Sequence, residues 1–308
     1  MIPTGRFAPS PTGRMHLGNV YCALLSYLSV KSRGGRWILR IEDLDPQRSR
    51  LDFARWIEED LHWLGLDWDE GGLDAGQWGD CCQSRRTDLY RQAFGQLRSD
   101  CYPCFCKRAD LLAASAPHTS DGRVIYAGTC RRLSPAEVER LGLERCPSYR
   151  LRLPDGEFVF EDARYGRQTV NLARDCGDFV VRRADGGYAY NLAVVVDDAA
   201  MGVNEVVRGV DLLPVTPEQL YLYRRLDLTP PVYRHIPLLV DAQGRRLCKR
   251  DRDLEMGSLR QAGASPQQIL GDLGYFAGLL PDRGPATLQQ LLELFDWKKV
   301  PLQNVVVG

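Results

Sequence analysis

The chain has 308 residues, 44% of them apolar and 26% charged, with forty basic side chains balanced by forty acidic ones. This length can fill a substantial core in one large domain or two modest ones, and the composition excludes an intrinsically disordered chain. No apolar run approaches the ~20 residues of a membrane helix and the first residues do not form a signal peptide, so a cytoplasmic protein with no membrane partner is expected; zero net charge gives no general pull towards nucleic acid, although a local basic patch fits within it.

In chain order, Arg6 to Ser10 read as a strand end running into the turn Pro11-Thr12-Gly13. From His16 to Val30, the residues Leu17, Val20, Leu24, Leu25 and Leu28 recur at helical spacing, and Gly34-Gly35 ends the helix. Trp37 to Ile41 is a compact apolar run, read as a buried strand. Leu51 to Leu64, stopped by Gly65, and Thr87 to Leu97 are further helices. A strand–helix–strand–helix order predicts a parallel α/β sheet, in which ligands bind beyond the carboxyl ends of the strands. The loops holding Arg6 to Ser10 and Glu42 to Asp45 are therefore where a site is expected.

Residues 101–178 are rich in proline, arginine and cysteine, with short runs such as Phe158-Val159-Phe160, and read as an insertion between two halves of the sheet. Phe179-Val180-Val181, Val194-Val195-Val196 and Val206-Val207 have strand or core character. Pro217 to Leu226 reads as a helix with Thr216 as its N-cap and proline at its first position. Gln267 to Leu273 and Leu288 to Phe295 return to helical patterning. The division expected is 1–100 and 179–254 for the two halves of the sheet domain, 101–178 for the insertion, and 255–308 for a helical end.

Ten cysteines without an export signal point to free thiols or metal ligands. Cys22, Cys146 and Cys176 stand singly and read as small core hydrophobes; Cys81-Cys82 carries no readable role. Cys104-x-Cys106 followed by Cys130 has the spacing of a thiolate metal site, with Tyr126 as an unusual fourth ligand and Cys101 as a competitor. A cluster of reduced thiols without metal is the alternative.

Two motifs suit phosphate. In Pro9 to Asn19 a rigid turn feeds a helix N-terminus carrying His16 and Gly18, where free N–H groups and the helix dipole favour an anion and glycine permits close approach. An ordinary turn with a capping histidine fits equally well. In Gly244 to Asp251, after the run Ile236 to Val240, Lys249 stands among arginines suited to a polyphosphate; by itself a solvated basic hairpin tip explains that loop better.

Together, His16-x-Gly18 at the first helix and the Lys249 loop after the last sheet strand resemble the two signatures of class I aminoacyl-tRNA synthetases. Arg6-Phe7-Ala8-Pro9-Ser10-Pro11-Thr12-Gly13, Arg40-Ile41-Glu42-Asp43-Leu44-Asp45, Asn191 to Asp198 and Glu205 to Leu212 resemble the glutamyl and glutaminyl branch of that family. The resemblance covers the chain apart from the insertion and the last segment. Asn19 stands where the signature ends in a second histidine, a position the glutamyl branch commonly varies, and Cys248 stands where a serine usually precedes the lysine.

The resemblance implies a Rossmann-like parallel sheet with a zinc-containing insertion and a short C-terminal helical stem-contact region. It implies activation of L-glutamate by ATP with Mg²⁺. Arg6 and Arg208 would then take the γ-carboxylate and Glu42 the α-ammonium, with Tyr190 and the strip Phe7, Ala8, Pro9 and Ser10 lining the pocket. His16, Gly18, Asn19 and Lys249 would hold ATP, with His16 and Lys249 in catalytic roles. A structural zinc on Cys104, Cys106, Tyr126 and Cys130 is implied as well. The blander readings pair Glu42 with Arg40 and bury Tyr190 in the core. Residues 251–308 are too few for an anticodon-binding domain of ordinary size. The chain thus resembles the members of the branch that lack one and pass glutamate to the queuosine base in the anticodon loop of tRNA(Asp), and a monomer is expected. A minimal enzyme charging tRNA(Glu), a silent tRNA-binding paralogue and a general nucleotidylyltransferase remain as alternatives; the glutamate-pocket residues speak against the last.

Overall fold

The computed structural model describes residues 1–74, 76–77, 79–107, 125–245, 247 and 254–307. Strand β1 (Thr4–Phe7) is buried along its whole length and leads through the proline turn into helix α1 (Leu17–Lys31). Then follow β2 (Arg36–Leu39), α2 (Leu51–Trp63), the two-residue β3 (Glu70–Gly71) and α3 (Thr87–Leu97). β1 pairs with β2 in parallel, Phe7 opposite Leu39, and β2 with β3. The helices end where expected, with Gly34 and Gly65 at positive φ just beyond them.

The next stretch is antiparallel. β4 (Cys101–Cys104), helix α4 (Pro135–Glu144), β5 (Ser148–Leu151), the hairpin of β6 (Glu157–Asp162) with β7 (Gly166–Asn171), and β8 (Val180–Arg182) follow in order. β5 lies between β4 and β8, so this sheet takes its third strand from the Phe179-Val180-Val181 run. Helix α5 (Tyr190–Ala200) then leads to β9 (Glu205–Gly209), α6 (Thr216–Arg225) and β10 (Val232–Ile236), with β9 and β10 parallel.

β9 lies beside β1, although the two belong to separate hydrogen-bonded sheets: Asn204 N, just before β9, donates to Thr4 O at 3.0 Å, and the side chain of Arg6 donates from Nη1 to Val207 O at 3.4 Å. β1 thus has β2 on one side and the returning half on the other. In α/β sheets this reversal of winding opens a crevice at the strands' carboxyl ends.

β11 (Leu239–Val240), α7 (Met256–Gln261), α8 (Pro266–Phe276), α9 (Leu288–Leu294) and β12 (Val305–Val306) complete the chain. Ile269, Leu270, Leu273 and Leu291 from the last helices join the core built on α1 and α2. Among the described residues no helix is long and apolar enough to cross a membrane.

Val194-Val195-Val196, read as strand or core, lies in the core as part of helix α5; every residue from Leu192 to Asp198 is buried, and a helix covered all round shows no periodicity. Three other local expectations need correction. Thr216 is not the N-cap of α6, a position held by Val215; its hydroxyl instead donates to Leu212 O at 3.1 Å and accepts from Arg208. The run Ile236 to Val240 is divided by Pro237 into β10 and β11, and β11 pairs with β12. Cys146 is exposed and Cys22 and Cys176 only half buried, so none of the three is a full core residue.

Asp197 clamps α5 to α3. Its carboxylate, with no exposed surface, accepts from Arg86 Nε at 2.6 Å, Gln83 Nε2 at 2.8 Å and Tyr90 Oη at 2.8 Å. Removing it strands a buried guanidinium. Asp197→Ala is expected to lose about 3–5 kcal/mol in urea unfolding; a loss below about 1 kcal/mol would contradict the clamp.

Candidate active site

A cavity of about 450 Å³ opens at the carboxyl ends of β1 and β9. Its wall includes Arg6, Phe7, Ala8, Pro9, Ser10, His16, Gly18, Asn19, Glu42, Tyr190 and Arg208. These are all of the residues expected at the glutamate and ATP sites apart from Lys249, which lies outside the described residues. Leu247 lines the same cavity, and Glu255 forms a β-bridge with His16.

The end of the cavity at Arg6 and Glu42 is organised by buried charge. Asp198 on α5 has no exposed surface and accepts from Arg40 Nη1 at 2.5 Å and from Arg6 Nε at 3.2 Å. Burial would push its carboxyl up, but Arg40 and then Arg6 outweigh burial and hold it below the ordinary range. The far side of the Arg40 guanidinium donates from Nη2 to Glu42 Oε1 at 3.1 Å. For Glu42 burial wins over the two arginines, and its carboxyl is raised above the ordinary 4.5. Glu42 does pair with Arg40, as the blander reading has it, and it still faces the cavity. Tyr190 is 39% exposed and is not a core residue.

Arg208 is held by neutral partners. Its Nε donates to His235 Nε2 at 3.0 Å, Nη1 to Gln219 Oε1 at 2.7 Å, and Nη2 to Thr216 Oγ1 at 2.8 Å and Leu212 O at 3.4 Å. Gln219 is fixed in turn by donating to Asn191 Oδ1 at 3.1 Å. A guanidinium has five N–H donors. Hydrogen bonds to described residues therefore leave one donor on Arg208 and more on Arg6, on two forks that line one cavity. Such a pair suits a carboxylate.

At the other end His16 is the N-cap of α1. Its Nδ1 accepts from Gly18 N at 3.1 Å, and its own N–H donates to Asn19 Oδ1 at 3.1 Å. The capping reading is therefore the one the geometry meets: the N–H of Gly18 and, at 2.9 Å to His16 O, the N–H of Asn19 are both used within the cap. An accepting Nδ1 puts the proton of the neutral ring on Nε2. A Cβ on Gly18 would sit 3.1 Å from the ring, a reason for glycine that the sequence did not show. Asn19 gains a definite role from its capping bond. The turn is held from behind by Asp60, fully buried, which takes Arg14 at 2.8 and 3.1 Å and Arg260 at 3.0 Å.

The supporting residues Arg40, Asp198, His235, Asp162, Gln219 and Thr216 were not anticipated in these roles. Arg40 and Asp198 stood inside the family-like stretches, and a charged residue within an apolar run was the available signal. Asp162 and His235 gave none.

A separate cluster lies in the antiparallel part. The ligand atoms of Cys104, Cys106 and Cys130 lie within 4.8 Å of one another, with Cys106 Sγ and Cys130 Sγ 3.6 Å apart. Tyr126 Oη is 3.5 Å from Cys104 Sγ and 3.9 Å from Cys106 Sγ. A tetrahedral zinc with Zn–S near 2.3 Å implies edges of about 3.8 Å, so the donor set fits a metal. Burial pushes the Cys106 thiol up to about 12, aided by Cys104; at Cys104 burial is outweighed by hydrogen bonding with Tyr126 and Arg150, which lowers its pKa. Cys101 does not join the cluster: its side chain packs in the apolar core with Tyr90 and Phe94.

A family model for the catalytic domain of class I tRNA synthetases (E and Q) matches residues 4–282. The glutamyl-Q tRNA(Asp) synthetase of Nitratidesulfovibrio vulgaris is 47% identical over 306 residues, spanning 98% of this chain and 94% of that protein. The one from Symbiobacterium thermophilum is 48% identical with the same coverage. A glutamate–tRNA ligase 2 of Alkalilimnicola ehrlichii is 44% identical over 89% of this chain, which is 59% of that protein. Among solved structures, a glutamate tRNA ligase from Elizabethkingia meningosepticum in complex with its amino acid superposes with a TM-score of 0.86 at 28% identity, covering 100% of this chain and 67% of that one.

The cysteine cluster makes a direct prediction. Cobalt(II) added to the reduced protein should bind once per chain with thiolate-to-metal charge-transfer absorption, and Cys106→Ser and Cys130→Ser should each weaken that binding at least about tenfold. Absence of the charge-transfer band would contradict a metal site.

Proposed function

The chain belongs to the class I tRNA synthetases of the E and Q type, and from that premise we propose that it activates L-glutamate with ATP and transfers the glutamyl group to queuosine in tRNA(Asp). The observation that carries the first half is the pairing of two part-used arginine forks with Glu42 in one cavity. A ligand with a side-chain carboxylate and an α-ammonium matches both ends. The second half rests on relatives that share nearly their whole length with this chain.

In activation, an oxygen of the glutamate α-carboxylate attacks the α-phosphorus of ATP. The bond to the bridging oxygen breaks and pyrophosphate leaves with its electron pair. In transfer, a queuosine hydroxyl attacks the carbonyl of the mixed anhydride, loses its proton and displaces AMP, leaving an ester. Little covalent work falls to the protein; positioning and electrostatics carry both steps. Arg208 and Arg6 hold the γ-carboxylate, Glu42 the ammonium, and Tyr190 with Phe7 to Ser10 the walls. His16 donates from Nε2, and the positive end of the α1 dipole faces the phosphates, the N–H groups of Gly18 and Asn19 being bonded to His16 Nδ1 and O. Lys249 offsets the charge of the departing pyrophosphate. Magnesium bound with ATP would supply further phosphate neutralisation.

Zinc on Cys104, Cys106, Cys130 and Tyr126 would be structural, since four protein donors close a tetrahedral site. A cytoplasmic monomer belongs to this reading.

Labelled glutamate should appear in the anticodon loop of tRNA(Asp), mapped by nuclease digestion, and only when the tRNA contains queuosine. Label at the 3′ end of tRNA(Glu) would instead make the chain a minimal charging enzyme. Arg208→Ala should weaken glutamate binding by about 2–5 kcal/mol, measured calorimetrically; unchanged affinity would remove Arg208 from the carboxylate. Only the ionised form of Glu42 can hold an ammonium, and burial raises its pKa. Glutamate affinity should therefore be steady near pH 7 and fall on acidification before pH reaches 4.5, the ordinary value for that carboxyl. An affinity independent of pH down to that value would contradict the role.

A further inference from the structure

Behind Arg208 stands a pair of ionisable side chains that the chemistry above does not use. Asp162, at the end of β6, and His235, on β10, are 1% and 0% exposed. His235 is the register partner of Arg208 on β9. Its Nδ1 lies 2.6 Å from Asp162 Oδ2, and its Nε2 lies 3.0 Å from Arg208 Nε.

The donors settle where the proton sits. An arginine Nε only donates. His235 Nε2 must therefore present a lone pair, and the ring proton is on Nδ1, donated to the carboxylate. Asp162 is itself fixed, its Oδ1 accepting from the N–H groups of Arg164 at 3.0 Å and Tyr165 at 2.9 Å. A doubly protonated ring would set N–H against N–H, so the arrangement needs the neutral imidazole. Burial is the main influence that lowers the ring's pKa and the charge on Arg208 adds to it, against the opposing bond to Asp162.

The spacing has a consequence for the cavity. A carboxylate bonded directly to Arg208 would offset its charge, but it would occupy donors and compete with an anionic ligand. One imidazole further back, the negative charge still helps to balance the guanidinium and leaves its cavity side available. The imidazole also pins Nε, while Gln219 and Thr216 pin the two Nη groups.

We infer that Asp162 and His235 form a positioning relay for Arg208, which aims the guanidinium at the side-chain carboxylate of the ligand and so sets the preference for glutamate over glutamine. This rests on the glutamate reading above. Because β6 belongs to the antiparallel part, the relay also ties that part to the amino-acid pocket.

The test compares dissociation constants for glutamate and glutamine, the weaker ligand by displacement, in wild type, His235→Asn and His235→Gln, with thermal unfolding as a check of the fold. Asparagine places its amide nitrogen where Nδ1 was and keeps the bond to Asp162, but offers Arg208 no acceptor. Glutamine places its amide oxygen near the position of Nε2 and keeps that acceptor. His235→Asn should lose about tenfold or more of the preference for glutamate, as expected for a lost hydrogen bond to a charged group, and His235→Gln should recover most of it. In pyrophosphate exchange the Asn variant should raise KM for glutamate more than it lowers kcat. A preference unchanged in His235→Asn, equal losses in both variants, or parallel losses of glutamate and glutamine affinity would each overturn the relay. If His235→Asn does not fold, Asp162→Asn, which keeps the ring and removes the charge, takes its place: a reduced preference supports the relay and an unchanged one overturns it. A wild type that binds no glutamate would overturn the reading itself, and the relay with it.

Discussion

Asp198 is the fixed point of the cavity. It has no exposed surface, and two guanidinium groups converge on it. A lone carboxylate at that depth is not tolerated, nor are two buried arginines without it. The three must form together, and they come from β1, the residue that follows β2, and α5. Arg40 then carries the constraint outward, since its other edge holds Glu42. The group suited to an anion, Arg6, and the group suited to a cation, Glu42, are thus placed from one buried oxygen. An ion pair of this kind is weak evidence for stability; its use here is geometric.

The rest of the molecule supports that centre from several sides. β1 and β9 run side by side where the winding of the sheet reverses, so Arg6 and Arg208 emerge at the same end. Asp60 binds Arg14 and Arg260, tying the proline turn before His16 to the helix after Glu255. Asp197, the neighbour of Asp198, holds α5 against α3. Adjacent carboxylates on one helix therefore serve opposite purposes, one bracing the scaffold and one the cavity. The end of the cavity at α1 is built from backbone: a helix N-terminus, its capping histidine and a glycine that accommodates the ring.

The sequence revealed the parallel α/β order, the helices α1, α2 and α3, and the cavity-lining residues, because these depend on local signals: helical spacing, glycine stops and family-like motifs. The cysteine cluster was legible from spacing, with Tyr126 as a candidate fourth ligand that the resemblance strengthened. What remained hidden was tertiary. Val194 to Val196 reads as well in a buried helix as in a strand. Thr216 looks like a cap and is a carbonyl-bonded support for Arg208. Cys101 has the right spacing for a metal, and only its packing beside Phe94 removes it. His235 and Asp162 lie far apart in sequence, and nothing short of the fold joins them.

One claim stands under all of this: the cavity is shaped for the two charged ends of glutamate before any tRNA arrives. Pyrophosphate exchange into ATP, run with purified protein and no tRNA, tests it most directly. The account predicts exchange that depends on glutamate and is not supported by glutamine. No exchange with glutamate, or equal exchange with glutamine, would contradict it.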